Sequence, residues 1–199
     1  MRSKGVIAVV VLALLLGLAG CGAVSSYNTL VGADEEVRTA WSNLEAQYQR
    51  RADLIPNLVE TVEGAADFEQ ETLQSVTEAR SKATSVQISA DDLNDPQQLQ
   101  QFQQAQSALG QSLGRLLAVS ENYPELRATQ NFSDLQAQLE GTENRIAVAR
   151  RDYNNAVRSY NTTVRSFPTV VFAPLLGFEP SVPFEAEEGS EDAPDVTFD

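Results

Sequence analysis

LQAQLEGTENRIAVARRDYNNAVRSYNTTVRSF, residues 135–167, is the stretch from which the fold can be read. Its apolar residues Leu135, Leu139, Ile146, Ala149, Tyr153, Val157, Tyr160, Val164 and Phe167 follow one another in steps of three, four and seven. Steps of that size fall on one face of a helix, and they recur often enough to give the tight left-handed drift of coiled-coil packing. Phe132 extends the stripe upstream, and Ser133 with Gln136 has the spacing of a capping box, so the helix is predicted to begin near Asn131 or Ser133. A helix with one greasy stripe needs partners to cover it.

The rest of the chain supplies them. From Val37, the residues Trp41, Leu44, Tyr48, Ala52, Ile55, Leu58 and Val62 share one face of a single long helix. Pro56 lies inside it, removing one backbone donor and crowding the carbonyl of Ala52. Because the apolar phase continues across the proline, a kink over 52–56 is expected in preference to a break with Asp53 capping a new start. A second stripe runs Phe68, Thr72, Val76, Ala79, Ala83 and stops at the polar stretch 85–94, read as a loop. Asp95-Pro96 then opens a third helix with a carboxylate cap and a proline at the first helical position. Its seam is Leu99, Phe102, Ala105, Leu109, Leu113, Leu116 and Leu117, and the glutamines between Gln97 and Gln111 read as solvated filler. Asn122-Tyr123-Pro124 ends it. The expected fold is all-α: an antiparallel up-and-down four-helix bundle with long first and last helices, crossing at roughly +20°. A self-associating coiled coil with open helices is the structural rival.

Composition narrows the chemistry. Against 28 Asp+Glu stand 14 Lys+Arg, a net charge of -14, so nucleic acid is repelled and no nucleic-acid partner is expected. Histidine is absent and Cys21 is the single cysteine, which removes the usual general base, metal ligand and nucleophile together. Carboxylate pairs such as Glu35/Glu36, Glu69/Glu71 and Glu187/Glu188 carry no sign of burial, and no glycine-rich phosphate loop accompanies them. No catalytic residue, metal or cofactor is expected, and the chain is read as a non-enzyme.

Arg2 and Lys4 precede a wholly apolar run from Gly5 to Leu16, the layout of a secretory signal over residues 1–20. The tetrapeptide Leu18-Ala19-Gly20-Cys21 then resembles a lipobox, in which the cysteine sulfur takes a diacylglyceryl group and becomes the mature terminus. The alternative is an uncleaved transmembrane helix, since Gly5 to Val24 is twenty residues without a charge. Both place the basic end inside and the bundle outside the cytoplasm, at a membrane of the cell envelope. Residues 21–32 are read as a linker, 33–167 as the bundle, and 168–199 as a Pro-rich apolar and then acidic tail. In that tail Val170, Val171, Phe172, Leu175, Leu176 and Phe178 either fold back on the bundle end or form a docking strip for a membrane partner. The doublets Arg50-Arg51 and Arg150-Arg151 are the remaining candidate site residues, either as interhelix ion pairs that set register or as an anionic lipid or partner site.

Several segments carry a family resemblance: SYNTLV from Ser26, QRRADLIPNLVETV from Gln49, TEARSKA from Thr77, GRLLAVSENYPELRATQNF from Gly114, LQAQLEGTENRIAVARRDYNNAVRSYN from Leu135 and FPTVVFA from Phe167. Together they resemble the LemA family. The resemblance implies a four-helix up-and-down bundle behind an N-terminal hydrophobic segment, membrane association, no assigned enzymatic activity, and a TPM-domain membrane protein as one class of partner. Where relatives often carry a Tyr and a His, this chain has Ala65-Ala66-Asp67-Phe68, so a role for that histidine does not transfer. The function expected is a lipid-anchored scaffold or adaptor for envelope components, with a sensor or small-molecule-binding bundle as the alternative. Replacing Cys21 with Ser tests the anchor: the mature mass changes if the cysteine is lipidated and cleaved before, and an unchanged mass excludes the lipoprotein.

Overall fold

Helix-spaced stripes become helices in the structure, a computed structural model that describes residues 2–64 and 68–184; within the first helix the side chains of residues 2–10, 15, 16, 18, 19 and 21 lie outside that description. The elements are α1 (Arg2–Glu63), α2 (Gln70–Ser85), α3 (Pro96–Ser120), the single turn α4 (Pro124–Arg127), α5 (Gln130–Arg165) and the single turn α6 (Thr169–Phe172), followed by a 3-10 turn at Pro174–Leu176. The four long helices pack as the expected all-α bundle. α1 and α5 run antiparallel, since Trp41 meets Tyr153, Tyr48 meets Arg150 and Arg51 meets Glu143.

Several boundaries differ from those read in the sequence. Residues 21–32, expected as a linker, continue α1 without interruption, because Leu30 is fully buried and Ser26 nearly so against the bundle. The helix therefore starts far upstream of Val37. Upstream on α1, Val11, Leu12, Leu14 and Val24 are exposed. Among the described residues no helix is long and apolar enough to cross a membrane. At the other end, α5 is capped by Thr129, whose hydroxyl accepts from the Phe132 N–H at 3.4 Å, and not by Ser133. Phe132 is buried, so the helix must already be wound where it enters the core. Asp95 caps α3 as expected, accepting from the Gln97 and Gln98 N–H groups at 2.8 and 3.3 Å.

α1 passes Pro56 without a break. The Ala52 carbonyl that proline leaves without its intrahelical donor instead accepts from Arg80 Nε, on α2, at 2.8 Å. Asp53, the alternative cap, accepts from the Gln49 side chain on the same helix. The proline has become a docking point for α2.

The core has two parts. One gathers Ile55, Leu58, Val62, Leu73, Val76, Leu109, Leu116, Phe132 and Leu139, and is walled by α1, α2, α3 and α5. The other gathers Leu30, Val37, Trp41, Leu44, Phe102, Tyr153, Val157, Tyr160 and Phe184. α2 ends at Ser85, before this second part, so a fourth wall is made there by the loop 86–95, which tucks in Ile88 and Leu93, and by the chain 178–184. Gly177, at φ 79°, takes the left-handed conformation that turns the chain from the 3-10 turn into this strap.

If Arg80 satisfies the carbonyl that Pro56 orphans, Arg80→Ala destabilises the full chain in urea unfolding by about 1–3 kcal/mol. In a Pro56→Ala background, which restores the backbone donor, the same change costs less than half as much; equal costs in the two backgrounds would contradict the assignment.

Candidate functional site

Between the two apolar parts lies a polar layer. Arg51, on α1, is 2% exposed. Its Nη2 donates to Gln106 Oε1 at 2.7 Å and to the Gln106 carbonyl at 3.0 Å, and its Nη1 donates to Glu143 Oε1 at 2.9 Å. Gln106 in turn donates to the Ala83 carbonyl at 3.3 Å, so one guanidinium joins α1, α3 and α5 and reaches the end of α2. The Arg51 guanidinium also lies 5.2 Å from the Tyr48 ring centroid. Thr142, fully buried beside the layer, accepts from Arg145 Nη2 at 2.8 Å. The Nε of Arg51 and the Nε1 of Trp41 are buried without hydrogen-bond partners, the polar cost of this packing.

The four arginines singled out in the sequence divide. Arg51 and Arg150 turn inward onto Tyr48, Arg150 donating from Nε to the Tyr48 hydroxyl at 3.0 Å and standing 5.7 Å over the Phe184 ring. Arg50 and Arg151 point outward, exposed. Arg51 pairs with Glu143 across the α1/α5 seam and not with its neighbour Asp53. Burial raises the Tyr48 phenol above its ordinary value, against the opposing pull of Arg150. The backbone of Leu18, Ala19, Gly20 and Cys21 is helical within α1, while the side chains of Leu18, Ala19 and Cys21 lie outside the described residues. Ala65 to Asp67 and the acidic residues 185–199 lie outside it too. Glu35, Glu36, Glu69 and Glu71 are exposed, and no group of acidic, histidine or cysteine residues among those described is placed to hold a metal ion.

The residues that sequence reasoning missed are two identical dipeptides on α5, Tyr153-Asn154 and Tyr160-Asn161. They hold the strap. Tyr153 donates its hydroxyl to the Val182 carbonyl and Tyr160 to the Glu179 carbonyl, both at 2.9 Å. Asn154 donates to the Phe184 carbonyl at 3.1 Å and accepts from its N–H at 2.8 Å; Asn161 does the same for Ser181 at 2.8 and 2.9 Å. The strap thus reads as two triplets, Glu179-Pro180-Ser181 and Val182-Pro183-Phe184, each with proline at the place where no N–H is used. Val182 spends its own N–H on the Leu93 carbonyl at 3.0 Å, stitching the strap to the loop before α3. Phe184 then enters the core, stacked on Trp41 and edge-on to Tyr153. The signal was present as a Tyr-Asn repeat seven residues apart and an X-Pro-Z repeat three apart.

Of the apolar residues from 167 to 178, Phe178 packs against the core while Phe167 and Leu175 are over 80% exposed. Thr169 and Ala173 are buried against the bundle end, so one face of the segment folds back, while Val170, Val171, Leu175 and Leu176 on its other face are exposed.

The sequence model of the LemA family matches residues 40–198, a span that includes the polar layer, the Tyr-Asn pairs and the strap. The chain belongs to the LemA family. Similar proteins include the magnetosome protein MamQ 2 of Paramagnetospirillum magneticum, 27% identical over 187 residues that cover 86% of this chain and 68% of that protein. MamQ of Magnetospirillum gryphiswaldense is 24% identical over the same shares. The protein LemA of Metamycoplasma hominis is 27% identical over 127 residues, covering 64% of this chain and 54% of that protein, so the match spans about half its length.

In this LemA-family bundle the strap is held by neutral phenols. Burial, with the charges of Asp34 and Glu179 adding to it, pushes Tyr160 up to about 12, and burial raises Tyr153 as well. An unfolded tyrosine ionises near pH 10, so this contribution is whole below about pH 10 and is lost as the pH rises through about 12. Asn154→Ala and Asn161→Ala are each expected to lower unfolding stability by about 1–3 kcal/mol, each leaving two strap groups unpaired. Exposed Asn155→Ala stays within about 0.5 kcal/mol; equal effects at all three positions in urea titration would refute the clamp.

Proposed function

We propose that this chain is a non-catalytic scaffold of the cell envelope, anchored at its N-terminus to a membrane by a lipid on Cys21 or by the apolar span Gly5–Val24, with its bundle on the extracytoplasmic side. The observation that carries the reading is how the inward polar groups are used. Arg51 is committed to Gln106 and Glu143, Arg150 to Tyr48, and both Tyr-Asn pairs to the strap. These groups bond to one another, and although Arg51, Gln106, Glu143 and Arg150 border an open groove between α3 and α5, their hydrogen bonds run within the bundle. With no histidine in the chain, acid–base work would fall to carboxylates, and the pairs Glu35/Glu36 and Glu69/Glu71 stand exposed on helix surfaces.

The alternative, a bundle holding a small apolar or lipidic molecule, needs a cavity between helices. Trp41, Phe102, Tyr153 and Phe184 fill the interior of one core part, and the wider opening of about 1270 Å³ at the other end is bordered by Asn57, Glu60, Glu125, Asp134 and Gln138. The groove between α3 and α5 stays open, with a volume of about 600 Å³, and its lining mixes Leu113, Leu117 and Leu139 with Ser107, Gln111, Glu140 and Asn144. An open groove of mixed polar and apolar lining suits a protein surface better than a small greasy ligand, which favours an enclosed apolar pocket. The outward, exposed Arg50 and Arg151 are among the cations open to an anionic partner.

Photo-crosslinking from Arg50, Arg151 and Gln111 positions in the native membrane tests the scaffold. A discrete adduct with another envelope membrane protein, the TPM-domain class among the candidates, is expected. Adducts confined to lipid or to a small molecule would contradict it.

A further inference from the structure

The apolar turns after α5 lie beside the foot of α1. Phe172 Cε2 comes within 3.9 Å of where a Cβ on Gly22 would stand, and Phe178 meets Tyr27 edge to face with ring centroids 6.0 Å apart. α6 and the 3-10 turn therefore sit at the level of residues 22–27 of α1, at the end of the bundle from which the helix runs on toward its apolar N-terminal stretch. Their outward face is greasy. Phe167 is 84% exposed, Leu175 81%, Val171 54%, Val170 45% and Leu176 39%.

This face is held in place. Ala173 is fully buried and Thr169 nearly so, and backbone N–H groups of Val170, Ala173 and Phe178 donate to Ser166, Thr169 and Ala173 carbonyls at 2.8 to 3.0 Å. The turns are fixed to the bundle by one side while the other projects. Charge is arranged to match. In a chain of net charge -14, α1 carries no charged residue from Gly5 to Ala33, and none occurs from Ser166 to Phe178, with Arg165 just before. The first carboxylate of α1, Asp34, stands twelve residues beyond Gly22, about 18 Å further up the helix. Along these two segments an otherwise acidic protein carries no carboxylate that an anionic headgroup layer would repel.

We propose that Phe167, Val170, Val171, Leu175 and Leu176 form a second membrane contact, a rigid apolar wedge that enters the lipid interface beside the N-terminal anchor and sets the bundle's orientation on the bilayer. This rests on the reading that the N-terminus is anchored, and it holds for either form of anchor. A lipid on Cys21 and a span ending at Val24 both bring residues 21–24 to the bilayer surface, and the wedge is level with them. Apolar side chains of this size favour leaving water, so one chain anchor and a wedge act together as two signals. The wedge also fixes the tilt of the bundle on the bilayer.

The full chain is reconstituted into phosphatidylethanolamine and phosphatidylglycerol vesicles whose acyl chains carry bromine, and tryptophan emission is followed against unbrominated vesicles. Trp41 is buried in the core and gives a constant background. Leu175→Trp, at an exposed position that leaves the fold intact, is expected to emit at shorter wavelength and to lose most of its added emission to bromine. Val24→Trp reports the anchor, and Gln138→Trp, on the far part of α5, stays unquenched. If Val24→Trp is quenched and Leu175→Trp is not, the wedge is overturned and the anchor stands. A blue shift at Leu175→Trp without quenching assigns the face to a second copy of this chain and overturns the lipid contact. If neither is quenched, the anchor fails and the wedge falls with it.

Discussion

Seven residues of α-helix rise about 10.5 Å, and three residues of extended or polyproline-type chain cover about 9–10 Å. Half of this bundle is closed by that near-equality. Tyr153-Asn154 and Tyr160-Asn161 stand seven apart on α5, and the backbone groups they bond, at Val182 and Phe184 and at Glu179 and Ser181, stand three apart on the strap running the opposite way. Proline at 180 and 183 costs no ladder bond, because the period places it where no donor is required. The strap can then carry Phe184 to the one spot where Trp41, Phe102 and Tyr153 leave room for a ring. Without it, the apolar faces of α1, α3 and α5 beyond the end of α2 would open to water.

The strap meets its partners only if the helices hold one register. Arg51 enforces this. A buried guanidinium is costly unless its hydrogen bonds are met, and a slip of one turn along α1 would move it from Gln106 and Glu143 into one of the two apolar parts on either side. Arg80 does the same for α2 by answering the carbonyl that Pro56 leaves open. Both devices are polar groups that specify position within an apolar bundle, and the apolar area itself supplies the stability.

The all-α class, the four long helices and nearly every seam residue were legible in the sequence, because burial on a helix face must repeat every three or four residues. Of the α5 stripe only Phe167 is out in solvent, past the helix end where the phase no longer applies. Gln106 was hidden among glutamines that are mostly solvated; composition cannot distinguish the one whose phase points inward to a buried arginine. The inward and outward members of each arginine doublet differ by 100° around a helix, which neighbours in sequence do not reveal. The prolines of the tail were legible as barriers to helix and not as a period-three strap, since the strap's meaning lies in its match to a distant helix. Thr129 as the α5 cap depended on the placing of α4, a tertiary fact.

The molecule that results commits its polar interior to holding itself together and keeps its apolar end bare beside the foot of α1. That division suits a part whose work is position. The strap as the missing wall is the feature on which the whole arrangement turns, and native-state hydrogen exchange of the full chain examines it directly. The amides of Ser181 and Phe184 are predicted to exchange as slowly as those of Val157 in the middle of α5, opening only when the bundle unfolds. Exchange of those two amides at the rate of a free peptide, with α5 still protected, would contradict a strap that closes the core.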